Sequence, residues 1–151
     1  MKKLLLILIL LSFGLSSFAQ GLNCTNPIVI NSLPYSTTDN TANYGDSTDI
    51  AQPSACAGTT ANYMTGNDVF YSYTPTVNGN ISITMTPSVN WSGIFIYQGC
   101  SNVGLNCLAG VANSGSGIRS IPSLPVVAGQ EYIIVISTNA APQTLGYSLV
   151  I

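Results

Sequence analysis

The chain contains no histidine and very few charges of either sign. Its basic residues are Lys2, Lys3 and Arg119, and its acids are Asp39, Asp46, Asp49, Asp68 and Glu131. General acid–base and nucleophilic catalysis need a tuned proton acceptor within hydrogen-bond reach of a nucleophile. Without imidazole no Ser–His–Asp triad can be assembled, and no Gly-x-Ser-x-Gly elbow occurs. A carboxylate pair for glycoside cleavage is conceivable only among Asp39, Asp46, Asp49 and Asp68. The composition therefore points away from an enzyme. With Lys2 and Lys3 in a removable leader, one arginine faces five acids, a formal charge of −4. That leaves no basic footprint for nucleic acid and no basic stripe for anionic lipid.

No apolar run is long enough to span a bilayer. Leu4 to Leu11 reads LLLILILL, but Ser12, Gly14, Ser16 and Ser17 interrupt its continuation, and a spanning helix needs about 20 apolar residues. The basic Lys2-Lys3, the apolar run and the small residues Ser17 and Ala19 have the layout of a secretory signal peptide. Residues 1–19 are read as that signal, cleaved near Ala19, with residues 20–151 as one exported domain. No membrane insertion of the mature chain is expected. Asn23 before Cys24 does not suit a lipoprotein anchor.

Cysteine is scarce but even in number, at 24, 56, 100 and 107. In an oxidising compartment this reads as two disulfides. Three pairings are possible. The turn-rich Ser101–Gly104 link favours Cys100 with Cys107, which leaves Cys24 with Cys56. Zinc ligation wants CxxC or His spacing, and neither is present.

What is abundant is strand periodicity. Ile81, Ile83 and Met85 alternate with Ser82, Thr84 and Thr86. Val69, Tyr71 and Tyr73 alternate with Phe70, Ser72 and Thr74, and Leu145, Tyr147, Leu149 and Ile151 close the chain in the same way. Ile94–Tyr97 and Tyr132–Ile136 are apolar on both faces, as in central strands covered on both sides. Asn78-Gly79 between two alternating runs is a hairpin signal. Nothing after the leader reads as an amphipathic helix. The expectation is an all-β, antiparallel sandwich of one domain. Ile81, Ile83, Val69, Tyr71, Ile94, Ile96, Ile134, Ile136 and Leu149 should be buried. Residues 39–66 should form a long surface excursion, and residues 110–118 a second flexible stretch.

In order, the chain runs GNDVFYSYTP from Gly66, then NGNISITMTP, WSGIFIYQGC, a second Cys at 107, AGQEYIIVIST and a closing GYSLVI. This series resembles the bacterial pre-peptidase C-terminal (PPC-like) domains over residues 24–151. The resemblance implies a jelly-roll-like β-sandwich of secreted bacterial proteins, accompanying exported peptidases, other exported enzymes or adhesion modules, and not itself catalytic. Many relatives carry acids just after the second loop Cys, whereas Leu108 to Asn113 holds none. Many are appended to other domains, whereas this chain ends on its last strand at Ile151. A standalone module and a truncated gene product both remain open.

Two candidate sites emerge. Asp46, Asp49 and Asp68 are the ligand set for calcium, a hard cation served by oxygen; Asp39, Asn40 and Asn43 lie in the same stretch. The spacing matches no EF-hand loop, and the competing reading is a set of Asx turns. Trp91 and Tyr97, with Tyr44 and Tyr63, are candidates for an aromatic platform that stacks on a sugar or anchors a protein. The competing reading is that Trp91 covers one end of the core. The function expected is a secreted, non-catalytic accessory or adhesion module recognising an extracellular glycan or protein. The alternative is a structural spacer or maturation domain for a secreted peptidase or other exported enzyme.

Overall fold

A computed structural model describes residues 20–50 and 62–151. The signal-peptide expectation for residues 1–19, and Cys56, lie outside the described residues. Among the described residues nine strands follow in order: β1 (Ile28–Ile30), β2 (Ser36–Asn40), β3 (Val69–Tyr73), β4 (Gly79–Pro87), β5 (Ser92–Gln98), β6 (Cys107–Asn113), β7 (Arg119–Val126), β8 (Tyr132–Thr138) and β9 (Gly146–Val150). They form two sheets, β1-β3-β8-β5-β6 and β2-β9-β4-β7. All pairings are antiparallel except β1 with β3. This is the expected β-sandwich.

The alternating residues of both sheets meet between them. Val69, Tyr71, Ile94, Ile96, Ile134 and Ile136 face Ile81, Ile83, Met85 and Leu149 in one buried cluster. Every residue named above as core is buried. β5 and β8 lie at the interior of the five-stranded sheet, which explains why both are apolar on both faces. Their outward residues Phe95, Tyr97, Ile133 and Val135, with Phe70, form a second buried cluster beneath Tyr63 and Met64. The excursion from residue 39 is thus a cover as well as a surface loop. A bridge between Ile50 and Met64 pins it, and burying the apolar face of a sheet is a large favourable term.

Several local expectations are corrected. Asn78-Gly79 does not turn a hairpin: β3 lies in one sheet and β4 in the other, so the link carries the chain across the sandwich. The Asn78 side chain instead accepts a hydrogen bond from the Ala128 N–H at 2.8 Å. Residues 110–113 belong to β6. The following turn is fixed by Arg119, which is 1% exposed. Its Nε donates to the Ser92 carbonyl at 2.8 Å, and its Nη2 to the carbonyls of Asn113 at 2.8 Å and Gly115 at 2.5 Å and to Ser92 Oγ at 3.1 Å. Its Nη1 donates to the Gly117 carbonyl.

The disulfide pairing is also different. Cys24 bonds Cys100, with Cα atoms 5.3 Å apart. That replaces both the Cys100–Cys107 and the Cys24–Cys56 bridge. The reason is tertiary: Cys24 is packed against the outer cluster of the five-stranded sheet, alongside Cys107, and proximity along the chain did not decide the pairing. Cys107 is disulfide-bonded too.

Candidate functional site

The connections β2–β3, β4–β5, β6–β7 and β8–β9 all emerge at one end of the sandwich, as the strand registers require. Loops carried by rigid strands are where binding residues concentrate. Here the loops are tied to each other. Thr65 and Gly66 donate backbone N–H groups to the Thr138 carbonyl at 3.1 and 3.0 Å, Asn67 N–H donates to Gln143 O at 2.8 Å, and Asn139 N–H to Trp91 O at 3.0 Å. A Cβ on Gly66 would run into Thr138 Oγ1 and lie 2.8 Å from the Asn139 carbonyl and 2.9 Å from that of Gln143. Only glycine permits this approach of two loops.

Trp91 is part of this end. Its φ is +56°, and it is the only described residue other than glycine with a positive φ. A bulky side chain in the left-handed region is strained by roughly 1–2 kcal/mol. The conformation is held because Trp91 O accepts from Asn139 and the following Ser92 is gripped by Arg119. The indole stacks on Tyr63 at a centroid distance of 6.0 Å and 25° between planes. It is partly buried and covers one edge of the outer cluster, with the remainder reaching solvent. Strain of this kind gathers at functional sites.

Tyr97 does not join it at the surface. It is 0% exposed, and its hydroxyl donates toward Met64 Sδ at 3.3 Å. Burial, the largest influence, pushes its pKa up to about 12. The alternating pattern places Tyr97 on the outer face of β5, but the cover of Tyr63 and Met64 removes it from contact with solvent. The ligand-facing role expected for Tyr97 is therefore withdrawn. Tyr44 is also engaged, donating its hydroxyl to Asp39. Asp39 further accepts from Asn43 Nδ2 and its neighbour Asn40 N–H, both at 2.7 Å, so its oxygens serve the turn that ends β2.

The three acids expected for a cation lie at the same end. Asp68 precedes β3 and is 0% exposed. Neither of its oxygens accepts a hydrogen bond in good geometry. Burial is the main cause raising its pKa to about 8; the Ser137 hydroxyl and the Thr48 N–H offset part of this, and the charges of Asp46 and Asp49 add to it. Asp46 and Asp49 are exposed. Gln143 Nε2 donates to Asp46 Oδ2 at 2.8 Å and to Asn67 Oδ1 at 3.2 Å. Among the described residues no three acidic or cysteine side chains are already gathered as a metal cage.

A family model described as "Galactose binding domain-like", for a domain associated with the T9SS secretion system, matches residues 22–144. The chain belongs to this family. No curated protein matches it. Among solved structures it is similar to the pre-peptidase C-terminal domain of the collagenase from Bacillus anthracis, at 12% identity and a TM-score of 0.51. The match covers 82% of this chain and 91% of that one. The PPC-like series of motifs thus corresponds to a PPC-like β-sandwich. Membership of this galactose-binding-like family supports a non-catalytic accessory module, and the T9SS association together with the disulfide supports an extracellular or cell-surface place. Among the described residues, no helix is long and apolar enough to cross a membrane.

Sequence reasoning missed one residue at this end. Arg119 stood out only as the lone base, and its buried bonding to loop carbonyls has no local signature. Tyr63 was among the aromatic candidates and does stack on Trp91, but in a stretch with no period that pairing had no local signature.

Proposed function

We propose that the exported chain is a non-catalytic accessory module that recognises an extracellular glycan through the loop end carrying Trp91. The carrying observation is the partly exposed Trp91, held at positive φ and stacked on Tyr63. A strained aromatic kept in place by two neighbouring loops is a preorganised stacking surface, which lowers the entropy lost on binding. The surroundings suit a neutral, hydroxyl-rich ligand. Thr65, Asn67, Asn139 and Gln143 line the same loops, and a shallow depression of about 320 Å³ at the neighbouring edge is lined by Thr38, Asp39, Thr86, Ser88, Tyr147 and Ser148. Release by cleavage near Ala19 and delivery to the medium or cell surface belong to this reading.

The test is a glycan array probed with the labelled exported chain, alongside an array of extracellular proteins and assays for ester, peptide and glycoside turnover. The expected result is weak, saturable glycan binding that Trp91→Ala lowers at least tenfold, with no turnover. Binding to proteins alone, or glycan binding indifferent to Trp91, would refute it.

A second reading has its own support. The outer face of the β2-β9-β4-β7 sheet exposes Ser36, Thr38, Ser82, Thr86, Ser120 and Ser148, a largely polar surface interrupted by exposed Val150. Such a face suits a braced spacer or maturation domain beside an exported enzyme. Absence of binding on both arrays, with stabilisation of a co-secreted enzyme by this chain, favours that role.

A further inference from the structure

The depression beside the Trp91 end is made by a missing side chain. Asn40 of β2 pairs with Gly146 of β9. On the other side of Gly146, Ser88 donates its N–H to Gly146 O at 2.7 Å and accepts from Gly146 N–H on its Oγ at 2.9 Å. Alternate residues of a strand share one face of the sheet. The row Asn40–Gly146–Ser88 therefore points the same way as the exposed row Thr38–Ser148–Thr86, two residues further along. A Cβ on Gly146 would lie 3.2 Å from Ser88 Oγ and 3.7 Å from Asn40 Nδ2. Glycine at this position leaves a hollow of about 320 Å³ lined by the hydroxyl residues Thr38, Thr86, Ser88 and Ser148. Thr38 Oγ1 and Ser148 Oγ share a hydrogen bond at 3.0 Å. Ser88 Oγ accepts from Gly146 and keeps its own proton to donate. The hollow thus offers donors and acceptors together, and no cation. The only basic side chain beyond the leader, Arg119, is buried and bonded to Ser92 and to loop carbonyls.

We propose that this hollow is a second saccharide subsite beside Trp91, and that the ligand is an uncharged oligosaccharide rather than a single sugar. The inference rests on glycan recognition at Trp91 and adds to it a chain length, a charge class and a second set of contacts. Ser88 and Trp91 lie on the same connection, and the chain between them limits their Cα separation to about 11 Å. A ring stacked on the indole leaves the hollow uncovered. The next rings of an unbranched chain, following the β4–β5 connection, reach it. Each hydroxyl contact replaces a contact to water and is modest by itself. Once one ring is stacked, however, the contact in the hollow is intramolecular, so affinity rises with chain length. Acidic sugars are disfavoured. Asp39 lines the hollow, Asp46 stands at the same end bonded to Gln143, and no exposed base among the described residues opposes them.

The experiment probes the exported chain with unbranched galacto-, gluco- and manno-oligosaccharides from monomer to hexamer, beside oligouronates of matching length, and repeats the bound series by calorimetry. The expected result is an affinity that rises at least about tenfold from the shortest bound member to the longest, with weaker binding of the uronates. Gly146→Val fills the hollow. It should cancel the rise while leaving the shortest bound member within about twofold of wild type. Thr86→Val combined with Ser148→Ala removes two hydroxyls from exposed positions and leaves the core intact. It should reduce the rise in the same selective way, which covers the case in which valine at 146 disturbs β9. Trp91→Ala should lower binding at every length. Affinity that is lost with Trp91→Ala but is flat with length and indifferent to the Gly146 and Thr86/Ser148 variants overturns the second subsite alone. Uronates bound as tightly as neutral chains overturn the charge class. Binding to no member of any series is the failure of the glycan reading itself, and the subsite falls with it.

Discussion

Replacing Arg119 by methionine removes five hydrogen bonds while leaving most of the side-chain stem in place. The consequences are unequal across the acceptors. Asn113, Gly115 and Gly117 are exposed, so their carbonyls can turn to water. Ser92 is 0% exposed, and its carbonyl and hydroxyl lose the partners at 2.8 and 3.1 Å. Each buried polar group left unsatisfied costs about 1–3 kcal/mol. Against that, the variant no longer buries a guanidinium, a desolvation cost of several kcal/mol in the wild type. We expect a net destabilisation of about 2–4 kcal/mol. Arg119→Lys keeps the charge but not the planar fork, and should recover less than half of the loss. Equilibrium urea unfolding reads this as a lower midpoint at constant slope. Amide exchange of residues 113–117 should rise at the same time. An Arg119→Met variant within about 1 kcal/mol of the wild type would refute the claim that Arg119 holds the β6–β7 turn and the base of the Trp91 turn.

Three further outcomes are expected. Non-reducing peptide mapping should join Cys24 to Cys100, and serine at both positions should cost about 4 kcal/mol, given a loop closed over 76 residues. The Tyr71 and Tyr147 hydroxyls bond each other across the core at 2.5 Å, so either Phe substitution should cost about 1–2 kcal/mol and the double substitution less than the two together. The raised pKa of Asp68, about 8 against about 3.9 unfolded, makes this group's contribution fully favourable below pH ~4. That contribution is lost as pH rises towards about 8, by up to about 1.4 kcal/mol per pH unit; Asp68→Asn should flatten the profile in urea unfolding measured from about pH 5 to pH 8.

The parts of the fold legible in the sequence were those written in period-two alternation. Ile81-Ile83-Met85 and the doubly apolar β5 and β8 announced both sheets and the depth of the core. β2 was not legible because Ser-Thr-Thr-Asp-Asn carries no apolar signal; it is an edge strand recruited by pairing with β9. β7 was obscured by Pro122 and Pro125, which an edge strand tolerates and a central one does not. Pro122 falls where the β4–β7 register slips between Ile81 and Ile83. The cysteine pairing failed for a different reason. The bond between Cys24 and Cys100 depends on an N-terminal segment packing against the outer cluster of the five-stranded sheet, a long-range fact with no local pattern. At the candidate site, Trp91 and Asp68 were visible as unusual residue types in their settings. The left-handed turn under Trp91 and the burial of the Asp68 carboxylate are products of tertiary packing.

Trp91 is the sole tryptophan, so its fluorescence reports directly on the loop end. The decisive measurement titrates the exported chain with an array-positive saccharide, following indole emission and heat release in parallel. The account predicts that emission changes with the same midpoint as the heat, and that iodide quenching falls as the ligand covers the ring. Calorimetric binding with emission and quenching unchanged would place the ligand elsewhere and contradict the account.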